Sequence, residues 1–210
     1  MLDVHPPHEK IHSLRDFLLH LLTITIGLLI ALGLEAMVEA AHHRRERIEA
    51  EQMIRRELRE NRDSLMKMQT TTMSEILDLQ RALVFAEDLR SGKKDDPAGL
   101  KLGFTVGPLQ SAAWSAASLN GAIGYMDYAE VQRFASAYKN QDLFERSAEL
   151  ALQHYEVLET YVAPGDDPRN MKPQDIETAI PDVRRAIADL RSMYDAGRGT
   201  LAVYGQALKL

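Results

Sequence analysis

Residues 17–34 read FLLHLLTITIGLLIALGL, eighteen positions without a single Lys, Arg, Asp or Glu. As a helix rising about 1.5 Å per residue, this stretch spans about 27 Å, close to the hydrocarbon thickness of a bilayer. It is apolar on every face, whereas a helix lying on a soluble core is apolar on one. It is longer than the roughly 7–15 apolar residues of a cleavable leader. Helical composition also continues past it, through Glu35-Ala-Met-Val-Glu39-Ala-Ala-His42. The reading is a retained transmembrane helix over residues 17–38. A polar tail, 1–16, precedes it and a helical bundle domain, 39–210, follows.

His20 and Glu35 lie near the two ends of the run, within reach of the headgroup layer, so neither needs an intramembrane role. Thr23, Gly27 and Ala31 recur every four residues. Small side chains at that spacing let two helices approach closely, which makes these three the expected membrane helix contact face, for a second copy or another membrane protein. Lys and Arg number two in the tail (Lys10, Arg15) against five just after the span (Arg44, Arg45, Arg47, Arg55, Arg56). That bias places the domain in the cytoplasm.

Net charge is −6, which gives no reason to expect a nucleic-acid partner. The absence of Cys excludes disulfides and thiolate metal sites. Aromatic residues make up only 6%, and sparse aromatics beside abundant Ala, Leu, Glu and Arg favour helix over sheet. The class is therefore all-α.

No Pro or Gly occurs from Glu35 to Arg90. Ile54, Leu58, Leu65, Met68, Ile76, Leu79 and Leu83 fall three, four or seven apart, so the span continues into one long amphipathic helix. The dense charges of residues 44–62, with Glu51 and Arg55 at i+4, read as a solvated surface. Asn61 interrupts the apolar spacing and is placed at a wet edge of the seam. Residues 91–99 are a loop and 100–109 irregular. A short helix over 110–119 stops at Asn120-Gly121. Asp127 and Glu130 have capping-box spacing and open a second long helix to about Val162. A last helix follows Pro173. Pro181 is expected to kink or restart it, and Gly197, Gly199 and Gly205 to loosen its end. Long helices joined by Pro/Gly loops add up to an antiparallel bundle.

Chemical motifs are missing. There is no phosphate-binding glycine loop, no nucleophile elbow and no His-Glu-x-x-His. Glu39 and His42 share a helix face, but a di-iron bundle needs two such pairs. His5, His8 and His12 sit in the tail without a preorganised geometry. Trp114, flanked by small residues in SAAWSAAS, reads as a core anchor. No catalytic, cofactor or metal residue is assigned.

Several strings resemble a group of bacterial single-pass membrane proteins that has no assigned activity. They are His12-Ser-Leu-Arg-Asp16-Phe, Gly27-Leu-Leu-Ile-Ala-Leu-Gly-Leu-Glu35, Val38-Glu39 and His42-His43-Arg44, with Ser111-Ala-Ala-Trp114, Gly121 and Met126-Asp127-Tyr128 later on. The resemblance implies a bacterial inner-membrane setting and carries no site residues. The expected function is that of a non-catalytic, membrane-anchored interaction or sensory module, with the lipid bilayer as its first partner. The alternatives are a structural subunit of a larger membrane complex and a tethered enzyme with a pocket near Trp114 and Tyr125.

Overall fold

Helix α1, Leu14–Arg90, is uninterrupted, as expected of a stretch without Pro whose last Gly is Gly33. The computed structural model describes residues 13–93, 96–97, 100–162 and 166–209, all helix, turn or irregular chain without a strand. After α1 come α2, Ala112–Leu119, a 3₁₀ turn, Ala122–Tyr125, α3, Tyr128–Glu159, a second 3₁₀ turn, Pro168–Asn170, and α4, Pro173–Leu208. The all-α class is thus observed. The chain divides into two compact units, Met1–Ile48 and Glu49–Leu210. The expected tail falls mostly outside the described residues, and His5, His8 and His12 lie there entirely.

In the first unit every described residue up to His42 is exposed. Its 18-residue apolar window has a mean hydropathy of 2.4, and none of that window is buried.

In the second unit α1, α3 and α4 enclose a main core, and Ala86, Ile176 and Ile180 form a smaller second cluster. Ile54, Leu58, Leu65 and Leu79 of α1, Phe134 and Phe144 of α3, and Leu190, Met193 and Tyr204 of α4 are fully buried. The apolar spacing thus selected the core face of α1. On α3 the structure buries Phe144 and leaves Leu143 exposed. Small residues Ala137, Ala148 and Ala151 of α3 and Ala186 and Ala207 of α4 are buried, and short side chains let helix backbones come close.

Cross-helix bonds define the directions. Arg55, Glu57 and Asn61 of α1 meet Glu130, Tyr138 and Gln141 of α3 in the same order, so these two helices run parallel. Helix α4 runs against both, with Glu87 meeting Arg184 near one end and Arg55 meeting the Ala207 carbonyl at the other. The antiparallel packing is therefore made by α4. Helix α3 can follow the direction of α1 because residues 100–127 first return along the bundle.

Local signals performed unevenly. Asp127 caps α3, its Oδ1 accepting from the amides of Ala129 at 2.9 Å and Glu130 at 3.4 Å. Gly121 takes φ +81°, the left-handed conformation that stops a helix at low cost in Gly. Pro181, by contrast, sits inside a continuous α4, so the helix does not restart there. The loosening at Gly197 is also corrected. That position is buried, and a Cβ there would lie 2.0 Å from Gln69 Nε2. The missing side chain makes room for α1.

Candidate functional site

Two features stand out: the exposed apolar segment of α1 and a buried polar column in the helical domain. In the apolar segment, all twelve Leu, Ile and Phe side chains from Phe17 to Leu34 are exposed. Burying such a side chain is worth about 1.5–3 kcal/mol, so leaving twelve in water costs on the order of 20–35 kcal/mol. That exceeds the roughly 5–15 kcal/mol stability of a domain. The segment is long and apolar enough to cross a membrane. Its polar side chains turn back onto their own helix. Thr23 Oγ1 donates to the Leu19 carbonyl at 2.9 Å and Thr25 Oγ1 to the Leu21 carbonyl at 2.8 Å. His20 Nδ1 lies 3.2 Å from the Asp16 carbonyl. Hydroxyls satisfied within the helix are what hydrocarbon surroundings demand. Thr23, Gly27 and Ala31 are exposed along one face, and nothing lies within 4 Å of the position a Gly27 Cβ would take.

The polar column begins with Arg55, which is 8% exposed. Its guanidinium donates to Glu130 at 2.5 Å, to Glu51 at 2.8 Å and to the Ala207 carbonyl at 3.3 Å, and lies 5.2 Å from the Phe134 ring centroid. Glu130 is therefore drawn away from closing the capping box. Burial pushes the Glu130 carboxyl above the ordinary value of 4.5, Arg55 pulls it back, and Glu51 pushes it up again.

Next, Glu57 Oε1 accepts from Tyr138 Oη at 2.6 Å, while Oε2 accepts from the Ala113 amide at 2.8 Å. Ser111 makes no side-chain cap for α2. The Glu57 carboxylate from α1 supplies it, where an anion complements the helix N-terminus. Burial together with Glu57 drives the Tyr138 hydroxyl far up and keeps it protonated.

Asn61 is 2% exposed. It accepts from the Gln110 amide at 2.8 Å and donates to the Gln110 carbonyl at 2.6 Å and to Gln141 Oε1 at 3.1 Å. Tyr204 Oη donates to the same Gln141 oxygen at 2.6 Å. The wet-edge placement of Asn61 is corrected, because the bundle buries it and gives it three hydrogen bonds, two with Gln110 and one with Gln141. The solvated reading of residues 44–62 is corrected in the same way at Arg55 and Glu57.

Glu75, Met68 and Asn61 stand seven residues apart and each holds an amide of the returning chain. Thr105 N–H donates to Glu75 Oε1 at 2.7 Å and Gly107 N–H to Met68 Sδ at 3.3 Å, followed by the Gln110 pair. Segment 100–111 has no regular partner strand or helix, so these side chains satisfy backbone groups that burial would otherwise orphan. They also explain how an irregular segment lies on α1 and reverses the chain direction. Spacing alone marked Asn61 as unusual. Nothing in the sequence marked Glu57 or Glu75, whose partners are 56 and 30 residues away.

Burial is the largest influence on Glu75 and raises it above 4.5. The folded state then holds a proton at pH values where the unfolded chain has lost it. Stability from this group is complete below about pH 4.5 and falls as pH rises through the raised value. Glu130 acts with the same sign. Glu75→Gln keeps an oxygen for Thr105 and removes the charge. Its stability relative to wild type is expected to rise between pH 4.5 and 8, as read by thermal unfolding across that range.

The remaining candidates resolve simply. Trp114 stacks on Tyr138, centroids 5.4 Å apart at 18°, and packs on the core. Tyr125 is 43% exposed. An open groove lies elsewhere, between α1 residues such as Leu77 and Val84 and the chain at Leu100 and Lys101. His42 pairs with Glu46 at 3.1 Å. No group of three or more His, Cys, Asp or Glu suited to a metal occurs among the described residues.

The geometry defines a class: an all-α domain cross-tied by buried polar groups, on a helix that begins with a span-length apolar segment. No family model, curated protein or solved structure matches the chain.

Proposed function

We propose that this chain is a single-pass protein of the bacterial inner membrane, anchored by residues 17–38. Its helical domain acts without catalysis as an interaction or sensory module on the cytoplasmic side. The observation that carries the reading is the complete exposure of the apolar run beside a domain that closes its own core. A cleavable leader fits less well, because α1 continues from the run into the core without a break. A buried helix of a soluble core fits less well because none of the apolar window is buried.

The non-catalytic part rests on how the buried polar side chains are used. Arg55, Glu57 and Asn61 are each engaged by a helix or by returning backbone. They are structural ties, and they leave α1 coupled to both α3 and α4. The cytoplasmic placement rests on the five Lys and Arg after the span against two before it. A reporter active only in the cytoplasm, fused after Leu210, is expected to be active. Activity only from a periplasmic reporter would overturn the placement.

A further inference from the structure

This inference rests on the anchor reading and names the lipid class that the anchor meets. Between the apolar run and the helical domain, α1 has two opposed faces. Glu35, Glu39, His42, Glu46 and Glu49 follow one another at steps of four and three residues, which places them on one side of an α-helix. Met37, Ala41, Arg44 and Ile48 follow at the same steps on the other side, and Arg45 lies at the border of the two faces, four residues before Glu49. These four and Arg45 are exposed. On the acidic face Glu46 lies 3.1 Å from His42 Nε2. Arg44 and Arg45 make no ion pair among the described residues. We propose that the Arg44/Arg45 face binds the headgroups of anionic phospholipids.

Reach and orientation both support the contact. Arg44 is ten residues past Leu34, about 15 Å along the helix. The headgroup layer occupies roughly 5–8 Å on each side of the hydrocarbon. Cα–Cβ bonds lean toward the N-terminus of a helix, which here is toward the membrane, and a long Arg side chain extends that lean by several ångströms. A tilt of about 20°, usual for spanning helices, lowers one face toward the lipid and lifts the other. Charge selects which. Anionic headgroups attract the Arg44/Arg45 face and repel the face bearing Glu35 and Glu39. Met37 and Ile48 flank the arginines, so lowering that face also shields apolar surface.

Attraction at an anionic surface amounts to about a five-fold preference per Arg, diluted when averaged over a whole lipid shell. The test is spin-label lipid partitioning with the full chain reconstituted in phosphatidylcholine bilayers. Trace spin-labelled phosphatidylglycerol is compared with spin-labelled phosphatidylcholine. The expected result is a several-fold excess of phosphatidylglycerol in the immobilised shell. Arg44→Gln with Arg45→Gln abolishes the excess, and Glu39→Gln with Glu46→Gln increases it. About 1 M salt also abolishes it, because screening is then effective within about 3 Å. An immobilised shell with equal preference, or a preference unchanged in the double arginine variant, overturns the lipid assignment and leaves the anchor intact. No immobilised population of either lipid overturns the anchor and this inference with it.

Discussion

Arg55→Ala is expected to destabilise the helical domain by about 3–5 kcal/mol, the usual cost of breaking a buried ion pair from one side. Arg55 and Glu130 are both 8% exposed. Removing the guanidinium leaves the Glu130 carboxylate buried beside Glu51 and the Ala207 carbonyl without its donor. For a domain stable by about 5–15 kcal/mol, that is a large fraction of the total. Two features separate this mechanism from simple loss of packing. Without Arg55, burial and Glu51 act on Glu130 unopposed, so its folded value rises further above 4.5. The penalty should then shrink as pH falls and the carboxyl takes up a proton. Glu130→Gln in the Arg55→Ala background should restore part of the loss, because the second change removes the stranded charge. Urea unfolding of the four variants at pH 5 and pH 8 checks both expectations.

A chain shortened to begin at Glu39 is expected to move from the membrane to the soluble fraction with its domain intact. None of the apolar window is buried, so its removal deletes no core contact. The core from Ile54 to Ala207 and the polar column from Arg55 to Glu75 are all retained. The melting temperature of the shortened chain should match that of the full chain in detergent to within a few degrees. A shortened chain that aggregates or melts far lower would show that the segment stabilises the domain after all.

The parts of this fold that were legible beforehand are those that depend on local chemistry. The run at 17–34 needs no partner to be recognised, because length and lack of charge suffice. Ile54, Leu58 and Leu65 declared their face by spacing, and Asp127 declared a helix start because its partners are two and three residues away. What stayed hidden was set by partners distant in sequence. Asn61 was visible as a polar residue at an apolar position, yet whether it was wet depended on Gln110 and Gln141. Arg55 and Glu57 looked like members of a charged surface because Glu130 and Tyr138 are 75 and 81 residues away. Gly197 depends on distant partners as well. Propensity disfavours Gly in a helix, but the close approach of Gln69 and Phe144 to that position outweighs a local cost of about 1 kcal/mol. The parallel course of α1 and α3 depends on segment 100–111, an irregular stretch with no periodicity to read.

The central claim is that residues 17–38 hold this protein in a bilayer. The most direct measurement is an alkaline carbonate wash of membranes from cells making the full chain, followed by sedimentation. Carbonate strips proteins held by charge or by peripheral contact and leaves those held by a spanning helix. The account expects the full chain to stay with the membrane pellet and to be released only by detergent. Its recovery in the carbonate supernatant would contradict the account.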